Sequence, residues 1–189
     1  IGVPMFLKYR NNHLDVIETE GEEAWQIFKN LMRSQPFALC DKKLFLKENG
    51  VFLVVRDKLD DLAICKLVNQ SDARKLRLSR KLPFMYKIIN PICRAVGCPP
   101  LPNQGEEFHH GYMAFFTARE TPQKYQKECV SYIQKNYKHR YTYLFFGVSL
   151  QDSVHYRNNP FNIQFSSTTF AYGDIPTKLS MGFHELTLI

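Results

Sequence analysis

The residues best placed to do chemistry are in a short turn, Arg119-Glu120-Thr121-Pro122-Gln123-Lys124. It joins an apolar run, Tyr112 to Ala118, to an amphipathic helix pattern from Thr121 to about Tyr137, and a second apolar run follows from Tyr141 to Val148. Such an order reads as strand, helix, strand. A right-handed crossover of this kind leaves the helix N-terminus beside the carboxyl end of the first strand, where backbone N–H groups with no helical partner can hold a phosphate. The corner therefore suits a phosphorylated cofactor, although its turn lacks the glycine that a full phosphate cradle uses.

Other chemistries find little support. Gly-x-Ser-x-Gly, His-Glu-x-x-His and a phosphate loop ending in Gly-Lys-Ser/Thr are all missing, and no glycine triplet follows a first strand as a dinucleotide fold requires. The five cysteines (Cys40, Cys65, Cys93, Cys98, Cys129) are odd in number, irregularly spaced and set in apolar patterns, so they read as reduced, small hydrophobes in a cytoplasmic protein. Cys93 and Cys98 have no matching second pair, and no metal site is expected. His109 and His110 are adjacent, so on a strand they point to opposite faces and form a polar strand mouth.

Hydrophobic residues at 44% and charged residues at 23% describe an ordinary globular chain of 189 residues, read as one domain. No apolar stretch reaches the roughly 18 residues of a membrane span, and the N-terminus has no basic-then-apolar signal pattern. A chain that begins at Ile1 lacks an initiator methionine and reads as a fragment of something longer, with residues 1–18 open to being a segment from a preceding region. The formal net charge is +7, and from Lys66 to Arg94 eight basic residues face one acid, Asp72. The whole excess lies in that segment, where a solvated loop and helix face is the plain reading and an acidic partner the alternative. Nucleic acid is disfavoured, because only Phe84 and Tyr86 interleave the basic residues.

Several elements must position the corner. Thr19 and Glu22 fit a capping box ahead of apolar positions Ala24, Ile27, Phe28, Leu31 and Met32, so a helix begins near residue 20 and ends before Pro36. Val51 to Arg56 and Leu62 to Val68 read as an antiparallel hairpin around Asp57-Lys58-Leu59-Asp60-Asp61. Pro83 opens a helix that Pro91 interrupts and Gly97 closes, and a stiff loop follows from Cys98 to Gly105. Thr121 caps the crossover helix with Pro122 at its first position, above a stripe of Tyr125, Cys129, Tyr132 and Ile133. Ser149 to Pro160 breaks the pattern, and Asn162 to Tyr172 and Phe183 to Leu188 read as further strands. The sum is an α+β fold, a mixed and mostly antiparallel central sheet flanked by helices.

With that order in hand, the region from about Gly50 to Tyr172 resembles the GNAT acyl-CoA N-acyltransferase superfamily. Met85-Tyr86-Lys87-Ile88-Ile89-Asn90-Pro91, the loop Gly97 to Pro102 with Gly105-Glu106-Glu107, and Tyr143-Leu144-Phe145-Phe146-Gly147-Val148 are similar to the second domain of bacterial proteins carrying two GNAT-like domains in tandem. The resemblance implies acetyl-CoA as cofactor, with pantetheine along the strand at Phe116, Thr117 and Ala118 and pyrophosphate at the turn near Arg119, Gln123 and Lys124. Where the family has Gln/Arg-x-x-Gly-x-Gly/Ala, this chain keeps Arg119 and lacks both glycines, and Pro122 removes a donor.

Transfer of an acetyl group to an amine needs an acid for the leaving thiolate and a base for the amine. The resemblance points to Tyr156 as the acid; it marks no residue as the base, for which His110 and Glu107 at the strand mouth are the candidates. The alternative function is a non-catalytic GNAT-like module that supports an N-terminal partner domain or binds an acidic partner.

Overall fold

A computed structural model describes residues 1–7, 14–32, 41–47, 50–69, 75–77, 83–119, 122–148, 159 and 161–163. Six strands form one sheet: β1 (Gly2–Pro4), β2 (Asp15–Thr19), β3 (Gly50–Asp57), β4 (Asp60–Val68), β5 (His110–Ala118) and β6 (Tyr143–Phe146). Their spatial order is β1-β6-β5-β4-β3-β2. Every pairing is antiparallel except that of β5 with β6. The parallel pair is joined by helix α4 (Pro122–Tyr137), which makes the crossover read from the sequence a real one.

Alternation along the strands sorts the side chains onto two faces. Leu53, Val55, Cys65, Leu67 and Met113 enter one cluster with Ile89 and Cys93 of helix α3 (Pro83–Val96) and with Cys129 and Ile133 of α4. Phe52, Val54, Ile64, Val68 and Ala114 enter the other, against helix α1 (Gly21–Met32) and Phe45 of the short helix α2 (Lys42–Lys47). A period of two with both faces apolar is what a sheet covered by helices on both sides demands.

Local chemistry differs from expectation at the start of α1 and inside α3. Thr19 is the last residue of β2 and not a helix cap: Ala24 N–H donates to the Glu20 carbonyl at 2.8 Å, so Glu20 occupies the cap position. The Thr19 hydroxyl donates to Glu23 at 2.6 Å, and Glu22 is drawn off by Lys42 at 2.8 Å. Helix α3 runs through Pro91, which is exposed within it. Its end is as expected, for Gly97 takes φ +73° and Cys98 N–H reaches back to the Cys93 carbonyl at 2.8 Å.

Lys66 belongs to the basic segment in sequence but not to the surface. Its position in the alternation points it at α2, where it is fully buried, donates to the Phe45 carbonyl at 2.7 Å and lies over the Phe52 ring. Gly50 makes the room, since a Cβ there would come within 2.8 Å of Lys66 Cε. The first eighteen residues hold a strand at each rim of the sheet, β1 on β6 and β2 on β3. Of the strand expected from Asn162 onward, Ile163 bridges Gly2 through two backbone bonds of 2.7 and 2.8 Å. Tyr172 and the stretch Phe183 to Leu188 lie outside the described residues.

Candidate functional site

Two regions gather the residues singled out above, and they sit at opposite ends of β5. At its carboxyl end is the crossover corner. On one side β5 pairs with β4 as far as Ala118, but β6 accompanies it only from His110 to Met113. Beyond Met113 the ladder toward β6 stops while β5 continues for five residues.

A bulge marks where the ladder stops. Ile64 pairs with Thr117 and Lys66 with Ala114, so Phe115 and Phe116 together oppose the single Cys65. Phe115 pays for the extra residue with φ +52°, a left-handed conformation that costs a side-chain-bearing residue on the order of 1–3 kcal/mol. Packing fixes it there: the buried Phe115 ring meets Phe45 at 5.1 Å and Phe28 edge-on at 6.2 Å. Phe116, carried to the opposite face, packs with the α3/α4 cluster. Thr117 is buried, and its hydroxyl has no hydrogen-bond partner among the described residues.

The groups that follow are electropositive. Arg119 anchors its backbone on the Leu62 carbonyl at 3.0 Å and leaves its guanidinium half exposed, 3.9 Å from Asp60. Pro122 opens α4, whose first turn contains no acid and presents Gln123 and the exposed Lys124. Gln126, one turn in, donates to the Gly147 carbonyl at 3.2 Å and ties the helix start to the end of β6. Arg119 at the end of β5 and Lys124 in the first turn of α4 thus place a cation on each side of the corner where the helix begins. Glu120 and Thr121 lie outside the described residues, as does Tyr156.

His110 and Glu107 are at the other end of the strand. Eight steps at about 3.3 Å put His110 roughly 26 Å from Ala118, too far for both to act on one small group. His110 is buried with Nδ1 2.9 Å from the Phe108 carbonyl, and its ring stands edge-on to Phe145. A carbonyl only accepts, so Nδ1 is the donor in this contact. Glu107 is claimed by two cations, Arg77 and Lys75, each at 3.3 Å. The Arg77 hydrogen bond leads in holding its carboxyl below the usual range, so it stays charged and is a weakened base.

His110 lines a cleft of about 520 Å³ that the sequence did not announce. Gly50 and Val51 of β3 and Leu67 at the end of β4 form one side, and Tyr137, Arg140 and Tyr141 after α4 form the other. His109 lines it as well, against the expectation of opposite faces, because β5 begins at His110 and the pleat does not yet govern His109. Tyr137 is held by its hydroxyl on Glu18 at 2.5 Å, and Tyr132 donates to the same oxygen at 3.2 Å. Burial first, then Glu18, pushes the Tyr137 phenol well up, and it remains neutral.

No protein-family model matches this chain, and neither does any curated protein. Among solved structures, the chain is similar to an aminoglycoside N-acetyltransferase determined in complex with CoA, with a TM-score of 0.41 and 9% identity over 89% of this chain and 99% of that one. Among the described residues, no helix is long and apolar enough to cross a membrane.

Proposed function

We propose that the chain is an acyltransferase-type domain of the GNAT class whose crossover corner receives an acyl-CoA. The observation that carries this reading is the one-sided strand: β5 runs on past Met113 without β6, bent by the bulge at Phe115 and Phe116. A pantetheine arm is a chain of amides that can complete such an edge by strand-like hydrogen bonds. Phe116, Thr117 and Ala118 then lie along the arm, and Arg119, Gln123 and Lys124 attend the phosphates. Two cations stand in for the missing glycine turn, so phosphate is held more by side-chain charge than by backbone amides. Acetyl transfer to an amine, with Tyr156 as the acid, is the activity this site would serve.

Calorimetric titration with CoA and acetyl-CoA tests it. Saturable heat and a raised melting temperature are expected, and replacing Arg119 and Lys124 together by alanine should weaken binding about tenfold or more, the scale of losing charge-assisted bonds. No heat and no thermal shift at millimolar CoA would remove the cofactor.

A second reading keeps the fold without the chemistry: a non-catalytic module that supports a partner domain. Pro122 offers no N–H to a phosphate, and His110 and Glu107 stand a strand's length from the corner. Under it, Tyr156→Phe changes nothing measurable, whereas loss of acetyl transfer in that variant would favour the enzyme.

A further inference from the structure

We infer that the cleft at the amino end of β5 is a binding site for a small organic oxyanion, a carboxylate or phosphate head on a flat apolar body. The inference is independent of the cofactor reading, because the cleft and the corner lie at opposite ends of the strand.

The head group is chosen by charge. Arg140 is exposed at the cleft, its guanidinium over the Tyr137 ring at 5.5 Å, and no carboxylate among the described residues pairs with it. Stacking on a ring holds the planar fork in place while leaving its N–H edge for a ligand, the arrangement that favours two-pronged recognition of an oxyanion. Two imidazoles, His109 and His110, share the lining, and among the described residues no acid does. The nearest carboxylates are spoken for: Glu18 takes the hydroxyls of Tyr132 and Tyr137, and Glu107 is bridged to Lys75 and Arg77. Among the described lining residues an amine finds no carboxylate, and an anion finds the Arg140 guanidinium.

The body is chosen by shape. Val51 and Leu67 give an apolar floor, and the rings of Tyr137 and Tyr141 give walls. Gly111 permits the second wall, since a Cβ at that position would meet the Tyr141 ring at 3.0 Å. About 520 Å³ is within the range of small-molecule sites and holds an aryl group with its head at Arg140.

Amide NMR titration of the full chain with benzoate, phenyl phosphate and benzylamine decides the matter. Expected is saturable movement of the Gly50, Asn69 and Tyr141 amides with benzoate or phenyl phosphate, none with benzylamine, and none at Gln123 or Lys124. The tighter of the two anions identifies the head as carboxylate or phosphate. Arg140→Ala should weaken that binding about tenfold or more, and Arg140→Lys should weaken it less, since the charge survives and the fork does not. The inference is overturned if neither anion moves those amides, if benzylamine binds as well as the anions, or if Arg140→Ala binds them unchanged. CoA binding at Gln123 and Lys124 is read in the same spectra, so failure of one site is distinct from failure of the other.

Discussion

The two halves of β5 are built on different terms. From His110 to Met113 the strand pairs with β6, with β4 joining on its other side at Tyr112 and Met113, and aromatic side chains pack around the pair: Tyr143 is fully buried, with Phe6, Phe108 and Phe145 within 6.4 Å of its ring. From Ala114 to Ala118 the strand keeps β4 but has lost β6, and it carries a bulge and a left-handed phenylalanine. The first half is the sheet at its most ordinary. The second gives up ladder bonds and backbone ease, and strain of that kind persists where surrounding packing enforces it and a ligand can use it. One strand thus supplies a firm anchor and, on the proposed reading, the edge along which the acyl-CoA arm lies.

The sharpest way to break this contrast is to empty each half in turn. Tyr143→Ala removes a fully buried ring and should cost about 3–5 kcal/mol in urea denaturation, the scale of aromatic truncation in a close-packed core. Phe116→Ala removes a ring that is only partly buried, so its cost should be smaller, about 1–2 kcal/mol, since less apolar area leaves water. Equal costs would mean that the carboxyl half is as tightly packed as the amino half, and the berth for an acyl-CoA arm would be closed.

A second test uses alkali, because five ionisable groups on the α3/α4 face resist losing their protons. Burial, helped by Cys98, pushes the Cys93 thiol up to about 12, and burial raises the Cys65 thiol and the phenols of Tyr137, Tyr141 and Tyr143. Each raised group stabilises the fold fully below its unfolded-state value, about 8.5 for a thiol and about 10 for a phenol, and that contribution drains away as pH rises toward the folded value. Stability should therefore fall progressively from about pH 9 to pH 12. Cys93→Ala should flatten the early part of the fall, and an unchanged profile in that variant would count against a deeply buried thiol at this position.

How much of this was legible beforehand follows from what each feature depends on. The hairpin, the crossover helix and the helix from Gly21 were readable because each is fixed by a local period and a local turn, as with Ile27, Phe28 and Leu31 or Lys58 at φ +55°. Lys66 was misread because a single lysine in an apolar strand looks like surface until the missing side chain of Gly50 and the Phe45 carbonyl, both distant in sequence, are brought to it. Pro91 was read as a break from a local rule that the surrounding helix overrides. Strands β1 and β2 were missed because three and five residues carry too little pattern, and each is defined by its partner across the sheet. The corner was visible in sequence. The cleft was not, since Gly50, Leu67, His110 and Arg140 come from four separate elements; its one local hint was a run of three basic-type residues, Lys138-His139-Arg140, directly after the helix.

The smallest expected effect concerns Glu107, and it sharpens the division of labour at the amino end. Glu107 is bridged to Lys75 and Arg77 but stands in solvent with them, where water screens the pairing and side-chain freedom opposes it. With its carboxyl below the usual range, what the pairing contributes is present above about pH 4.3, the unfolded value, and is lost as pH falls through the folded one. Glu107→Gln should therefore be barely less stable than the parent chain in denaturation at pH 7, and that slight difference should vanish as pH falls through the folded value. Anion binding in the cleft should be unchanged, because Glu107 already spends its charge on Lys75 and Arg77. A clear change in benzoate or phenyl phosphate affinity would instead place Glu107 in the cleft's electrostatic field, and the part assigned to the Arg140 charge would have to be redrawn.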